Sequence, residues 1–148
     1  MIHRRAFLAL GAMLLARCSS PPPPAVLTLT LLGSADQNPD PSGHPTSVAV
    51  HLYQLTATAK FERADVFALT EHEQQTLGTD DLGSEELVLQ PGETRTITRD
   101  LKPNAQFIGV AVLFRDIDRA QWRGMAPVAA SGPSRHALTI KALSATLA

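Results

Sequence analysis

The chain has 148 residues, with 13 basic and 14 acidic side chains, 44% hydrophobic residues and 18% charged ones. That balance is too apolar for a disordered segment, and the scattered Lys and Arg residues form no basic run, which argues against a nucleic-acid surface. A single cysteine leaves no disulfide framework, so the fold must rest on its apolar core, which a domain of this length can build.

Residues 1–17 read as an export signal. Arg4 and Arg5 precede an uncharged run from Ala6 to Ala16, which as a helix reaches about 16 Å, half of a hydrocarbon core. His3-Arg4-Arg5-Ala6-Phe7-Leu8 has the form of a twin-arginine signal. Paired arginines also occur in general secretory signals, so both export routes stay open. Either route puts the mature domain outside the cytoplasm. Leu15-Ala16-Arg17-Cys18 fits a lipobox at Leu15, Ala16 and Cys18, while Arg17 stands where a small residue is usual. An ordinary signal peptide with an incidental cysteine is the alternative. Acylation of Cys18 as the first mature residue is the favoured reading, and Ser19 in place of Asp after it points to sorting to the outer membrane. Without Arg4, Arg5 and Arg17 the mature chain carries ten basic against fourteen acidic residues, a net charge of −4.

Residues 18–24 then form the lipidated cysteine and a spacer. Pro21 to Pro24 predict a stiff polyproline stretch of about 3 Å per residue. The domain occupies residues 25–148. Val26 to Leu32 alternates Leu27, Leu29 and Leu31 with Thr28 and Thr30, which is strand periodicity. Gly33 to Thr46 is dense in turn formers and longer than an ordinary hairpin loop, which favours a functional role. Val48 to Leu55 predicts a second strand with Val48, Val50 and Leu52 inward and His51 facing solvent. Phe61, Ala64 and Phe67-Ala68 recur at helical spacing, so a short helix is expected over Phe61 to Leu69, extending through Thr76 until Gly78 stops it.

Further strands are expected at Glu85 to Leu89, Thr94 to Leu101, Phe107 to Phe114, Ala126 to Ala129 and Ala137 to Ala142. Turns fall at Pro91-Gly92, Pro103-Asn104 and Gly132-Pro133. The stretch Phe107 to Phe114 is apolar throughout and reads as a central strand buried on both faces, with Leu113 in the core. Seven or eight short strands with one helical insertion make an all-β fold, an antiparallel two-sheet β-sandwich.

Catalysis has little support. His44, His51, His72 and His136 are dispersed, and no motif of a hydrolase, zinc protease, dinucleotide site or P-loop occurs. The chain reads as a non-enzyme without a cofactor. Asp36-x-Asn38-x-Asp40 copies the start of a calcium loop, but Pro41 stands where Gly is needed and Ser47 where Glu is needed. No metal site is expected; Asp36 and Asn38 should instead organise the loop through side-chain to backbone bonds. Phe114 to Arg123 concentrates charge around Trp122, which is either a binding hot spot or a residue packed on the sandwich while Arg115 and Asp116 tie the turn.

Several segments, in order, carry a family resemblance: Ala35 to Asp40, Tyr53-Gln54-Leu55, the Phe-x-x-Ala-Asp-x-Phe-Ala-Leu of Phe61 to Leu69, Leu87 to Glu93, Ile108-Gly109-Val110, and Phe114-Arg115-Asp116-Ile117 followed by Trp122-Arg123. Together they resemble the outer-membrane lipoprotein of type VI secretion systems, the TssJ family. The resemblance implies a transthyretin-like sandwich with an extra helical element, tethered under the outer membrane on its periplasmic face. It also implies a protein partner, the periplasmic domain of TssM, and a role in anchoring the trans-envelope membrane complex. The contact it implies lies in the loop after the first strand, at Asn38, Pro39, Asp40, Ser42, Gly43 and His44. The rival reading is a periplasmic carrier of a small hydrophobic ligand, which would need an open pocket lined by Phe107, Leu113 and Phe114.

Overall fold

The computed structural model describes residues 20–148, so the export signal and Cys18 lie outside the described residues. Eight strands form two four-stranded sheets packed face to face. β1 (Val26–Gly33) and β2 (Val48–Leu55) follow the expected alternation: Leu27, Leu29 and Leu31 point inward, as do Val48, Val50 and Leu52. The first sheet has the order β4 (Thr94–Asp100), β1, β7 (Pro133–Lys141), β8 (Ser144–Leu147). The second has the order β3 (Asp81–Leu89), β2, β5 (Phe107–Leu113), β6 (Arg123–Pro127).

The sandwich is not purely antiparallel. β1 pairs antiparallel with β4, matching Leu29 to Ile97, but parallel with β7, matching Leu29 to His136. Pairing between strands so distant in sequence is set by how the chain crosses between sheets, which no local pattern encodes. β8 follows β7 through Ala142 at φ 46, a tight reversal without glycine or proline, so the hairpin carried no turn signal. β6 begins at Arg123 because its register is fixed by β5, with Ile108 opposite Ala126.

Leu27, Leu29, Leu31, Val50, Ile108, Val110, Val112, Leu138 and Ile140 fill the space between the sheets. At about 25 cal/mol per Å² of buried apolar surface, this interior is the main source of stability. Of the residues named for the carrier reading, Leu113 and Phe114 line a surface groove and Phe107 packs under the helical insertion, so that groove is not the pocket between the sheets which the reading needs. Leu113 corrects the expectation for β5: it is half-buried at the end of the strand and lines a surface groove rather than the core.

The helical insertion covers the outer face of the second sheet and is three short helices rather than one: α1 (Ala59–Arg63), α2 (Val66–Glu71) and α3 (Glu73–Leu77). Asp65 causes the first break. It is extended, at ψ 168, and its carboxylate caps α2 by accepting from the Ala68 amide at 2.8 Å. Gly78, at φ 56, ends α3 as its position predicted. Tyr53, Leu55, Phe61, Leu69, Leu77 and Ala111 make a second, smaller core beneath the helices. Phe61 lies edge-on to Tyr53 at 5.3 Å between ring centroids. A side chain at Gly109 would come within 2.7 Å of the Phe61 ring, so this strand glycine makes room for the helix. His51 is half-buried on this face: it stacks near Tyr53, and its Nε2 lies 3.1 Å from Glu86 without hydrogen-bond alignment, so the solvent-facing expectation was wrong. Among the described residues no helix is long and apolar enough to cross a membrane.

Candidate functional site

The loop between β1 and β2 is built in two tiers, a buried base and an exposed tip. Gln37 and Asn38 form the base and are fully or almost fully buried. Gln37 Nε2 donates to the Leu89 carbonyl at 2.8 Å and to the Thr46 carbonyl at 3.2 Å. Asn38 takes the left-handed conformation, at φ 47, one that asparagine tolerates better than most residues. Its Nδ2 donates to the Ser47 carbonyl, and its Oδ1 accepts from the Arg115 amide, both at 2.8 Å. Its own amide donates to the Ala142 carbonyl at 2.8 Å, and its carbonyl accepts from Thr46 Oγ1 at 2.6 Å. Asn38 thereby ties the loop to β2, to the segment after β5 and to the β7–β8 turn. Asp36, exposed beside this base, accepts from Ser34 Oγ and, at 3.3 Å, from the Ala142 amide.

The tip runs from Pro39 to Pro45, and Asp40 shapes it. One carboxylate oxygen of Asp40 accepts from the amides of Ser42 and His44, each at 2.9 Å. The Asp40 amide donates to the His44 carbonyl at 2.8 Å, and the Gly43 amide to the Asp40 carbonyl at 2.9 Å. The His44 amide, and after it the Ser42 amide, hold the Asp40 carboxyl below the usual carboxylate range. Gly43 sits at φ 83 with open space around it. Ser42, Gly43 and His44 are exposed, and Pro39 and Asp40 are half-buried. The tip is thus a closed, preorganised turn whose outer edge is free.

The fold also joins two segments that the sequence offered separately. Pro39, Asp40 and Pro41 line a groove of about 630 Å³ together with Arg115, Asp116, Arg119 and Leu143. Asp116 and Arg119 approach within 3.8 Å across the turn. A second groove, of about 290 Å³, shares Arg115 and lies between α2 and the end of β5, lined by Phe67, Thr70, Leu113, Phe114 and Ile117. Phe61 is fully buried, but Phe67, on the separate helix that starts after the break at Asp65, is 61% exposed.

Trp122 packs half-buried between the two cores. Its neighbour Arg123 has a role the sequence did not suggest. The guanidinium lies 4.3 Å from the Trp122 ring centre and donates to the carbonyls of Phe61, Glu62 and Ala64 at the end of α1. His44, His51, His72 and His136 sit in the loop tip, β2, the α2–α3 junction and β7, with no shared site. Among the described residues no group of three His, Cys, Asp or Glu side chains could hold a metal ion.

A family model described as "Type VI secretion lipoprotein, VasD, EvfM, TssJ, VC_A0113" matches residues 25–143. The chain belongs to this family. The TssJ family match spans β1 to β7, the loop and the helical insertion. The chain is similar to the crystal structure of the T6SS lipoprotein TssJ1 from Pseudomonas aeruginosa, at 34% identity and TM-score 0.81, over 85% of this chain and 96% of that one. It is also similar to a chain in the structure of the T6SS protein TssM C-terminal domain (869-1107) from EAEC, at 27% identity and TM-score 0.71, over 84% and 98% of the two chains. A chain of a type VI membrane complex matches at 27% identity and TM-score 0.72, over 84% and 96%. Comparison with the curated proteins finds no match.

Proposed function

We propose that this TssJ-family chain is a periplasmic lipoprotein, anchored to the outer membrane through Cys18, that holds the periplasmic domain of TssM and so fixes the type VI secretion membrane complex. Pro39, Asp40, Ser42, Gly43 and His44 present the contact, and buried Asn38 holds it in shape.

The observation that carries this reading is the polarity of the sandwich. The spacer ends where the Pro23 carbonyl accepts from the Gly132 amide at 3.1 Å and the Ala25 carbonyl from the Leu101 amide at 2.9 Å. β1 then runs eight residues to the loop, about 23 Å at roughly 3.3 Å per residue. Tether and tip therefore stand at opposite ends, and a membrane-anchored domain would aim its loop into the periplasm. The match to the structure named for TssM adds support. There, 98% of the matched chain is covered by a part of this chain far shorter than residues 869–1107, a length that fits a companion of the TssM domain better than the domain itself.

The test is co-purification of the full-length chain with a TssM periplasmic fragment from membranes. Wild type should retain the fragment in the membrane fraction, and Cys18→Ser should bind it in soluble form, since stable anchoring needs more than one acyl chain. A wild-type protein that sediments with membranes yet never retains the fragment would overturn the reading.

A further inference from the structure

We infer that the partner surface extends beyond the loop tip, across Arg115, into the groove at Phe67, where it receives a protein segment carrying a carboxylate followed by an apolar side chain. This rests on the partner reading above and deepens it.

Phe67 and Val88 are the exposed large apolar side chains among the described residues. Val88 lies on β3 opposite Ala49 and lines neither groove. Phe67 instead caps a groove whose other lining includes Leu113 and Ile117, and Arg115 lines both this groove and the one beneath the loop tip. The two grooves therefore meet at Arg115. Arg115 is exposed, and among the described residues its guanidinium forms no ion pair. It only feels Asp40 at a distance. Arg95 pairs with Glu93 at 2.6 Å, Arg99 with Glu85 at 2.7 Å, and Arg123 holds α1, while the exposed Arg63 and Arg135 line neither groove. An exposed aromatic beside a free arginine is the composition of an interface hot spot. A charged fork of this kind selects a carboxylate in bidentate geometry, and the apolar groove beside it selects the neighbouring residue.

The experiment measures the affinity of the full-length chain for the TssM periplasmic fragment. The variants are Phe67→Ser, Arg115→Glu, Val88→Ser and a deletion of Asp40 to Gly43. Phe67→Ser and Arg115→Glu should each weaken binding roughly tenfold or more, the scale of a hot-spot residue. Val88→Ser should bind as wild type does. The two test substitutions lie on different elements, so a local folding defect in one leaves the other informative, and thermal melts accompany both. If the loop deletion loses binding while Phe67→Ser and Arg115→Glu bind like wild type, the extended surface is wrong and the partner reading survives. If wild type itself does not bind, both fall.

Discussion

Asn38 shows how much a single residue can carry. Its side chain satisfies a donor and an acceptor that are part-buried at the base of the loop. Asn38→Ala would orphan the Arg115 amide and the Ser47 carbonyl and put a β-carbon-only residue at φ 47. A fully buried orphan costs about 1–3 kcal/mol and these part-buried ones less, so a urea titration should show a loss of roughly 1–3 kcal/mol with an unchanged slope. Glu73 is the opposite case, a residue the fold holds at a disadvantage. Burial, and then the nearby Asp81 carboxylate, push the Glu73 carboxyl above its ordinary value, against the bond from Ser84 Oγ. A carboxyl whose pKa is raised on folding favours the folded state when protonated. The wild type should therefore lose stability as pH rises from 4.5 through the raised value. Glu73→Gln keeps an acceptor for Ser84 and gains a donor towards Asp81. It should melt above wild type at pH 7 and close to it at pH 4; a difference independent of pH would contradict this.

At the scale of elements, sequence pattern was legible where a segment has one face to bury. Leu27, Leu29 and Leu31, like Val48, Val50 and Leu52, alternate because one side meets the opposite sheet, and period two is visible in the chain. The helical insertion was legible as a helix but not as three, because Asp65 reads equally as a helix residue or as a cap. The turn into β8 was invisible because Ala142 adopts φ 46 without the residues that usually mark it. Asn38 was legible as a loop organiser, but not as the partner of Arg115, which lies 77 residues away. The Arg123 clamp was hidden for the same reason: its acceptors are main-chain carbonyls about sixty residues upstream, and a carbonyl leaves no signature in a side-chain sequence. Arg123→Lys should not rescue it, since a compact ammonium cannot serve three carbonyls as a planar fork does. Hydrogen exchange should quicken across Ala59–Leu77 in Arg123→Lys and Arg123→Ala alike, while the protection of β1, β2 and β5 stays. Uniform loss across both sheets would show that the clamp supports the whole domain rather than the insertion.

For the molecule as a whole, the division between scaffold and tip makes stability and binding separable. The hydrogen bonds of Asp40 stay within the tip, to Ser42, Gly43 and His44, whereas the base is held from outside by Leu89, Ser47, Arg115 and Ala142. The Asp40 amide meets the His44 carbonyl, so the two ends of the tip already adjoin and a shortened chain can close there. Deleting Asp40 to Gly43 should then change stability by less than about 1 kcal/mol, as removals at exposed loop tips do. Binding to the TssM fragment should nevertheless be lost. Leu138→Ala should behave in the reverse way. Leu138 is fully buried between the sheets, and the cavity should cost roughly 2–5 kcal/mol, while the folded fraction binds with wild-type affinity. Thermal melts and pull-downs on the two variants place them in opposite quadrants. A loop deletion that melts many degrees early would mean the tip is structural after all, and its failure to bind would then say nothing about contact.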